Sequence, residues 1–360
     1  MTARASSSGP SDEDSSPSSH AASIAGVTYV LPLRRTTVAE DRDFAQYLEM
    51  LAELVEVVVA DGSPPEVFAA HRAQWGPAIR QVAVTSSCLN GKVAGVVDGA
   101  FAASNESLII ADDDVRYNRE SIAAVAALLV DHPLVRPQNY FAPLPWHARW
   151  DSARSLLNRA FGDDYPGTLG VQRRALEKTG GYCGAVLFEN LELIRTLQAH
   201  GFSQCRASDV FVRRLPPDAK HFWAQRIRQA YDSRAQPARQ VAELALAPLA
   251  ECALRARRPG LLLVAAGLAV GLAELGRQRG QAKAVFGWTL SWWAPVWVAE
   301  RAICSWLAML ASMRGGAVFA GARLRTAAHG RRALAGAGCP ERVCSCRTGW
   351  RSGPPEANVL

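Results

Sequence analysis

The chain has 360 residues, which is enough for one sizeable hydrophobic core and a second module. Its composition, 49% hydrophobic and 20% charged, excludes a chain that is disordered throughout. The formal net charge of +7 is unevenly distributed, since residues 213–258 hold ten Arg or Lys against four Asp or Glu. Such a basic half is typical of a contact with nucleic acid or with an anionic membrane, and equally of a solvated basic face.

The first residues and the cysteines give expectations about compartment. Residues 1–23 are rich in Ser, Pro and Asp without an apolar stretch, so they are predicted to be a disordered tail and not a signal peptide. Five of the eight cysteines are scattered singly, which predicts no disulfide framework and is typical of a reduced cytosolic chain. The tail segment "CPERVCSC" (Cys339–Cys346) lacks a second ligand pair at zinc spacing, which disfavours a zinc site.

Strands and helices are predicted to alternate from about residue 24 to residue 135. The predicted strands are 26–33, 54–63 and 106–115, and the predicted helices are 41–54, 68–75, 91–104 and 119–133. The strands are short and nearly all apolar, as expected when helices cover both faces of a sheet. The pattern therefore predicts an α/β domain with a mostly parallel, Rossmann-like sheet.

Acidic residues follow two of these strands, at the edge where such sheets bind ligands. Asp61 ends one apolar run, and Asp112, Asp113 and Asp114 end "SLIIA". Closely spaced carboxylates repel each other unless a cation neutralises them, and Mg²⁺ or Mn²⁺ prefers carboxylate oxygens. Alternation along a strand would point Asp112 and Asp114 the same way, with Asp113 turned aside. A cluster that caps the helix starting near Arg119 is the alternative.

The C-terminal part contains two apolar runs, 259–275 and 284–313, and the second holds five tryptophans. Tryptophan is enriched at membrane interfaces, and arginines flank both runs. We therefore predict interfacial or re-entrant helices on the cytoplasmic leaflet, with a buried helical hairpin as the alternative. Because these arginines flank apolar runs and not stacking platforms, a membrane is a better partner than nucleic acid.

Seven segments in order resemble a family 2 glycosyltransferase of the GT-A fold over residues 24–240. They are "VTYVLPL", "VVVADGS", "NGKVAGVVDGA", "ADDDV", "GTLGVQRRALEKTGGY", "FENLELIRTLQAHG" and "FWAQRIRQAYD". The overall layout is most similar to ceramide-glucosyltransferase-like members. The predicted domains are therefore a glycosyltransferase-like domain at 24–240, a membrane-associated helical region at 241–335 and a flexible tail at 336–360.

The resemblance also implies roles for individual residues at a donor site. Asp112 and Asp114 would hold Mg²⁺ or Mn²⁺, and Gln225 and Arg228 would close over the diphosphate or the acceptor. The other residues expected to contact the donor substrate are Pro32, Asp61, Lys92 and Asp113.

Two departures from the family pattern concern the catalytic base and the aromatic element. The usual Glu-Asp pair is Glu189-Asn190 here, and asparagine cannot accept a proton at neutral pH. Glu189 is the first choice of base and Glu192 the second, since three residues apart on a helix they share one face. In "QRIRQ", Gln229 stands where the family has tryptophan.

The implied activity is an inverting transfer of a sugar from a UDP- or GDP-sugar donor to a hydroxyl of a lipid or membrane-delivered glycan. Two alternatives remain. A sugar-phosphate nucleotidyltransferase also has a metal site at a sheet edge, although "LPLRRTT" does not resemble its Gly-rich loop. Asn190 is also compatible with a catalytically degenerate transferase that serves as a membrane scaffold.

Overall fold

The structure is a computed structural model that describes residues 23–162, 164–319 and 322–335. The predicted N-terminal tail, apart from Ser23, lies outside the described residues. The predicted C-terminal tail and its Cys339–Cys346 segment also lie outside them.

The described chain alternates strands and helices up to α4 and becomes largely helical after β8. The strands are β1 Val27–Leu33, β2 Glu56–Asp61, β3 Ile79–Ala83, β4 Ser107–Ala111, β5 Val115–Arg116, β6 Leu134–Phe141, β7 Thr168–Gln172, β8 Cys205–Arg214, β9 Ala317–Phe319 and β10 Ala322–Leu324. The helices are α1 Arg42–Leu54, α2 Pro65–Gln74, α3 Gly91–Ala102, α4 Arg119–Asp131, α5 Trp146–Ala160, α6 Arg173–Thr179, α7 Glu189–Ala199, α8 Ala219–Asp232, α9 Pro237–Arg255, α10 Gly260–Gln278, α11 Ala294–Met313 and α12 Arg331–Leu334. Short 3₁₀ turns occupy Ser233–Ala235, Ala282–Ala284 and Trp288–Trp293.

Eight strands form one sheet in the order β3-β2-β1-β4-β7-β6-β8-β5. Strands β1 to β4 pair in parallel, β7 is antiparallel to both of its neighbours, and β8 is parallel to β6. The predicted α/β class with a mostly parallel sheet is confirmed. The sequence pattern missed β3, whose residues are only partly buried.

Alternation of side chains explains why the sheet carries helices on both faces. On β1, Tyr29 and Leu31 face the core that α1 covers, whereas Val30 faces the core that α3 covers. Gly99 lets α3 approach closely, because a Cβ there would lie 2.6 Å from the Val30 side chain. Nearly every β1 and β4 side chain is therefore buried, as the all-apolar strands predicted.

The strand directions bring the ends of seven strands to one edge of the sheet. The carboxyl ends of β1, β2, β3, β4, β6 and β8 lie there, together with the amino end of the antiparallel β7. Asp112 and Asp114 follow β4 in a tight turn, closed by a 3.1 Å hydrogen bond from Val115 N–H to the Asp112 carbonyl. The three aspartates therefore lie past the strand, and strand alternation does not set their directions.

The alternative that these aspartates cap α4 is wrong. The N-cap of α4 is Asn118, whose side chain accepts from Ser121 N–H, while the Ser121 hydroxyl accepts from Asn118 N–H. This reciprocal capping box already satisfies the start of the helix. The aspartates need another explanation.

The C-terminal helices pack against the first part of the chain. Leu156 of α5 shares a hydrophobic cluster with Ala273 of α10 and Trp297 of α11. The predicted boundary at residue 240 falls inside α9. By length and composition, α10 and Trp288–Met313 could each cross a membrane, but a third of the second window is buried in the protein.

A buried group of charges fixes α11 to α5 and α8. Arg226 of α8 donates to both Asp151 oxygens at 2.8 and 3.0 Å, and it lies 3.8 Å from Glu300 of α11. Glu300 and its neighbour Arg301 are 7% and 1% exposed. The two residues that interrupt the apolar run in the sequence are thus held inside the protein.

The expectation of wholly reduced cysteines is wrong for two residues. Cys88, just before α3, and Cys183, just before α7, are disulfide-bonded, whereas Cys205, Cys252 and Cys304 are free. The two loops that carry the bonded cysteines lie together, since Asn90 N–H donates to the Gly184 carbonyl at 2.8 Å. The two loops are far apart in the sequence, so the sequence pattern did not indicate that they meet.

Candidate functional site

A cavity of about 400 Å³ opens at the carboxyl edge of the sheet, between the sheet, α7, α8 and α11. Charged side chains dominate its lining. Seven predicted site residues contribute to it: Lys92, Asp112, Asp113, Asp114, Glu189, Gln225 and Arg228. Pro32, Asp61 and Glu192 are not among the lining residues.

Basic side chains from distant segments neutralise the aspartate turn. Lys92 Nζ lies 2.5 Å from Asp112 Oδ1, and Arg35 lies 2.5 Å from Asp113 Oδ2. Arg214, at the end of β8, reaches Asp112 Oδ2 at 3.3 Å and Asp114 Oδ2 at 2.9 Å. Asp112 and Asp114 therefore converge on one cation, and Asp113 takes a separate partner.

The two converging carboxylates differ electrostatically. Burial acts to raise the pKa of Asp112, but the charges of Lys92 and Arg214 outweigh it and the pKa is lowered. Burial raises the pKa of Asp114, and the neighbouring Asp112 charge adds to this although Arg214 opposes it. Asp114 Oδ1 is buried without a hydrogen-bond partner in the described part of the chain. The turn thus retains one vacant carboxylate oxygen.

Gly167, just before β7, allows the aspartate turn to lie against β7. Its carbonyl accepts from Asp112 N–H at 2.9 Å. A Cβ at this position would lie 2.7 Å from Asp112 Oδ2 and 2.9 Å from the Arg214 guanidinium. Only glycine leaves room for both charged groups.

Lys92 enters the site from the first turn of α3. The N-cap Asn90 accepts from Lys92 N–H at 3.1 Å, which fixes the start of the helix beside the cavity. The Lys92 ammonium lies 2.5 Å from both Asp112 and Glu189. Burial acts to lower the pKa of Lys92, but the two carboxylates outweigh it and the pKa is raised. Lys92 therefore stays charged and links the turn to α7.

The two candidate bases on α7 lie in different places, and only one of them lines the cavity. Glu189 lines the cavity at the first position of the helix, next to Asn190, whose amide donates to the Pro166 carbonyl. Glu192 is fully buried elsewhere and accepts from His329 N–H and Nδ1, both at 2.7 Å. The shared helix face did not bring Glu192 to the cavity, because its partner comes from a segment 137 residues away.

One face of α8 lines the cavity. Gln225, Arg228, Gln229 and Asp232 all line it, at the spacing of successive helical turns. The Arg228 guanidinium also stacks over Phe319 of β9, 5.2 Å from the ring centroid. The predicted Gln225 and Arg228 are therefore together in the site, and the residue at the tryptophan position, Gln229, faces it too.

Arg214 and Asp232 were missed by sequence reasoning. Burial raises the pKa of Asp232 to about 7, a nearby Glu189 charge adds to this, and Arg228, Arg301 and Arg154 oppose it. Asp232 lies seven residues after Gln225, so helical periodicity could have placed the two on one face of α8. For Arg214, the only signal was its position at the end of a strand.

Two predicted donor residues lie outside the cavity. Asp61 ends β2 and is 1% exposed, with its oxygens engaged by His71 Nδ1 at 2.7 Å, Gln81 at 2.9 Å and Ser63 N–H at 2.9 Å. Burial acts to raise its pKa, but these hydrogen bonds lower it. Pro32 packs against α3, where a Cβ on Gly95 would lie 2.9 Å from it. In this structure Asp61 thus connects β2 to α2 and β3, and Pro32 contacts α3.

A second cluster resembles a set of metal ligands. Cys183, Glu192 and His329 place ligand atoms within 4.8 Å of one another. Cys183 is disulfide-bonded, so it offers no thiolate, and Glu192 is engaged by His329. This cluster is structural.

No protein-family profile matches the chain, and no curated protein sequence matches it. Several solved structures resemble it at low similarity. A mannosyltransferase from Pyrobaculum calidifontis in complex with GDP-Man and Mn²⁺ is 18% identical, with 78% of this chain and 87% of that chain covered and a TM-score of 0.47.

Two further solved structures are less similar. Glucosyl-3-phosphoglycerate synthase from Mycobacterium tuberculosis, in complex with Mn²⁺, UDP-glucose and phosphoglyceric acid, is 14% identical over 60% of this chain and 78% of that chain, with a TM-score of 0.38. Mannosyl-3-phosphoglycerate synthase from Rubrobacter xylanophilus is 13% identical over 55% and 69%, with a TM-score of 0.35.

Proposed function

We propose that this chain is a glycosyltransferase that moves a sugar from a nucleoside diphosphate sugar, with UDP- or GDP-sugars as first candidates, to a hydroxyl of a lipid or membrane-delivered glycan. One observation carries the proposal. The family resemblance implies that Asp112, Asp114, Lys92 and Arg228 belong to the donor site and that Glu189 is the base, and these residues, from separate segments, line the same cavity. The solved structures named above include transferases bound to GDP-Man or UDP-glucose with Mn²⁺, which agrees with this assignment.

The aspartate turn is suited to hold a divalent cation, Mg²⁺ or Mn²⁺. Asp112 and Asp114 already share one cation, the Arg214 guanidinium, and Asp114 Oδ1 has a vacant lone pair. Carboxylate oxygens are the ligands that these metals prefer. A metal bound there would neutralise negative charge on the diphosphate as it leaves.

Basic residues of the cavity suit the diphosphate itself. Arg228 lines the cavity together with the aspartate turn, where its charge helps to lower the pKa of Asp112. Its planar guanidinium can donate two parallel hydrogen bonds to phosphate oxygens. Gln225, one helical turn away, can donate from its amide. We propose an inverting displacement, in which the acceptor oxygen attacks the anomeric carbon opposite the diphosphate. The family resemblance assigns the acceptor proton to Glu189.

An apolar groove next to the cavity favours a lipid acceptor. The groove has a volume of about 340 Å³ and shares Arg228 with the donor cavity. Apolar side chains of α8, α11 and β9 line it, among them Ile227, Leu310 and Val318, with Arg314 and Arg323 beside them. The groove can hold a hydrocarbon chain while the hydroxyl reaches the cavity. We propose a membrane-bound acceptor for this reason.

The donor site is tested by a thermal-shift panel on the purified full chain. Wild type and Asp114→Ala are each mixed with UDP-, GDP-, dTDP- and CMP-sugars, with and without Mn²⁺. We expect one base class to stabilise the wild type only when Mn²⁺ is present, and we expect Asp114→Ala to lose this stabilisation because the metal loses a ligand. Asp131→Asn, an exposed aspartate at the end of α4, is the control and should respond like wild type.

A response that does not depend on Asp114 would contradict the metal role of this residue, whereas no response to any sugar nucleotide would contradict the transferase assignment. The second result would favour the scaffold alternative.

The side of the membrane is a separate proposal. The arginine pattern favours the cytoplasmic side, whereas disulfide-bonded Cys88 and Cys183 are more typical of an oxidising compartment. Protease accessibility of the chain in sealed vesicles from its own cells measures the side directly.

A further inference from the structure

Asp232 is an unassigned carboxylate in the donor cavity. It ends α8 and lines the cavity together with Gln225 and Arg228. Its Oδ1 is buried and has no hydrogen-bond partner within the described residues. Buried polar atoms are normally paired, so an unpaired carboxylate oxygen facing a cavity is a place where a ligand group can bind.

The competing carboxylate, Glu189, is engaged in the ion pair with Lys92 at 2.5 Å. Lys92 in turn holds Asp112 at 2.5 Å, so Glu189 belongs to the charge network of the aspartate turn. A proton on Glu189 would break that network. The position after it, where the family has a second acid, is Asn190, which cannot accept a proton. The α7 segment therefore lacks a free base.

We propose that the Asp232 carboxylate is the catalytic base that accepts the proton of the acceptor hydroxyl. This inference rests on the proposed function. In the step, the acceptor O–H bond breaks and its proton moves to Asp232. The oxygen lone pair forms the bond to the anomeric carbon, and the bond from that carbon to the diphosphate oxygen breaks with its electrons on the leaving diphosphate. Asp232 then returns the proton to solvent.

The electrostatic surroundings of Asp232 support this role. The groups that face it are Arg228 on its own helix, Glu189 on α7, Arg154 on α5 and Arg301 on α11. Burial outweighs the three arginines and raises its pKa to about 7. A base works best when its pKa lies near the operating pH. An ordinary exposed aspartate would be a far weaker base.

The test measures kcat/KM for transfer as a function of pH, using the sugar nucleotide that stabilises the wild type and a panel of lipid and glycan hydroxyl acceptors. For the wild type we expect activity to rise with pH and level off above about pH 7, because Asp232 must be ionised. Asp232→Asn should lower kcat/KM by about 100-fold or more and abolish that rise. Glu189→Gln should lower activity but retain the rise.

Two further variants separate chemistry from folding. Asp218→Asn makes the same change at the exposed N-cap of the same helix, and it should keep both activity and pH profile because asparagine caps equally well. Asp232→Glu should recover part of the lost activity, since it restores a carboxylate at this position.

A second readout needs no acceptor. An acid whose pKa is raised on folding makes the folded state bind protons that the unfolded state has lost, so it destabilises the protein as pH rises from about 4 to about 7. Asp232→Asn should therefore raise the melting temperature more at about pH 8 than at about pH 5. An equal effect at both pH values would contradict the buried, titrating carboxylate.

The outcomes distinguish the two proposals. Normal transfer with an unchanged pH profile in Asp232→Asn overturns the role of Asp232 and leaves the transferase intact. Loss of the pH-dependent rise in Glu189→Gln, with Asp232→Asn retaining it, assigns the proton to Glu189 instead. Failure of the wild type to bind or transfer from any sugar nucleotide overturns the proposed function, and the role of Asp232 with it.

Discussion

At the scale of single residues, the aspartate turn illustrates how a repulsive cluster is held in a folded chain. Asp112, Asp113 and Asp114 are tolerated because Lys92, Arg35 and Arg214 arrive from three other parts of the sequence. Each basic side chain compensates the loss of hydration that burial imposes on a carboxylate. The charge balance of the site therefore depends on the tertiary fold.

Lys92→Met tests this dependence. The change leaves Asp112 and Glu189 without the ammonium that lies 2.5 Å from both, so we expect the free energy of unfolding to fall by about 2 kcal/mol at pH 7. Lys92 lowers the pKa of Asp112 in the folded state. The contribution of this ion pair to stability is therefore fully present above the pKa that Asp112 has in the unfolded chain, and it disappears as the pH falls through the lower pKa of the folded state. Urea unfolding at about pH 7 and about pH 3 measures both values.

The matched control is Lys178→Met, at an exposed position near the end of α6. It should change the free energy of unfolding by no more than about 0.5 kcal/mol. An equal loss in both variants, or a Lys92→Met loss that does not shrink at low pH, would show that the ion pairs contribute little.

Local pattern placed Asp112 at a strand end, whereas the family resemblance supplied Lys92 and Glu189. Asp112, Lys92 and Glu189 stand next to a strand end or a helix start, and the cavity contains all three. Arg214 and Asp232 were missed because their positions depend on which strand ends and helices meet. Glu192 was placed in the site from helix periodicity alone, and that reasoning does not see His329 across the chain.

At the scale of elements, the contact between α10 and α5 is set by one small residue. A Cβ on Gly276 would lie 1.9 Å from the Leu156 carbonyl oxygen, far inside contact distance. A Cβ on Gly267 or Gly271, on the same helix, would meet only open space. The three glycines thus have different structural roles although the sequence presents them alike.

Gly276→Ala should separate α10 from α5 and lower the free energy of unfolding by about 1–3 kcal/mol through overpacking. Gly271→Ala, the control, should leave stability unchanged or raise it by up to about 1 kcal/mol, because alanine is the better helix former. Chemical denaturation of both variants measures the difference. Equal stability of the two would mean that the helices do not meet at Gly276.

Elements were easier to predict than their contacts. The apolar run of 259–275 predicted a helix, and α10 spans Gly260–Gln278. The run did not reveal that Ala273 would pack against α5, because small residues look the same on a lipid-facing and a protein-facing surface. The aspartates were likewise assigned to a strand, since a two-residue strand such as β5 leaves no periodic signal.

At the scale of the whole molecule, large apolar side chains are exposed on the C-terminal helices. Leu263 and Leu268 of α10 are 77% and 64% exposed, and Trp288 and Trp292 are 66% and 64% exposed. Monomeric soluble proteins rarely expose many such side chains on neighbouring elements. We therefore propose that this surface lies in the membrane interface, where tryptophan is favoured.

The double variant Leu263→Glu/Leu268→Glu tests the membrane proposal. We expect its binding to phosphatidylcholine–phosphatidylglycerol vesicles to weaken at least about tenfold in flotation assays, because two exposed leucines would no longer enter the interface. Val130→Glu, at an exposed apolar position on α4, should bind like wild type. Unchanged flotation of the double variant would argue that this surface contacts another partner.

The buried pair Glu300 and Arg301 has a consequence for how the protein can be purified. A helix surrounded by lipid on every side cannot keep these charges, yet α11 buries both inside the protein, where Glu300 lies 3.1 Å from Arg301 and 3.8 Å from Arg226. The protein would then contact a bilayer only through the exposed apolar surface of its C-terminal helices. Alkaline carbonate, without detergent, should release such a protein from its native membranes.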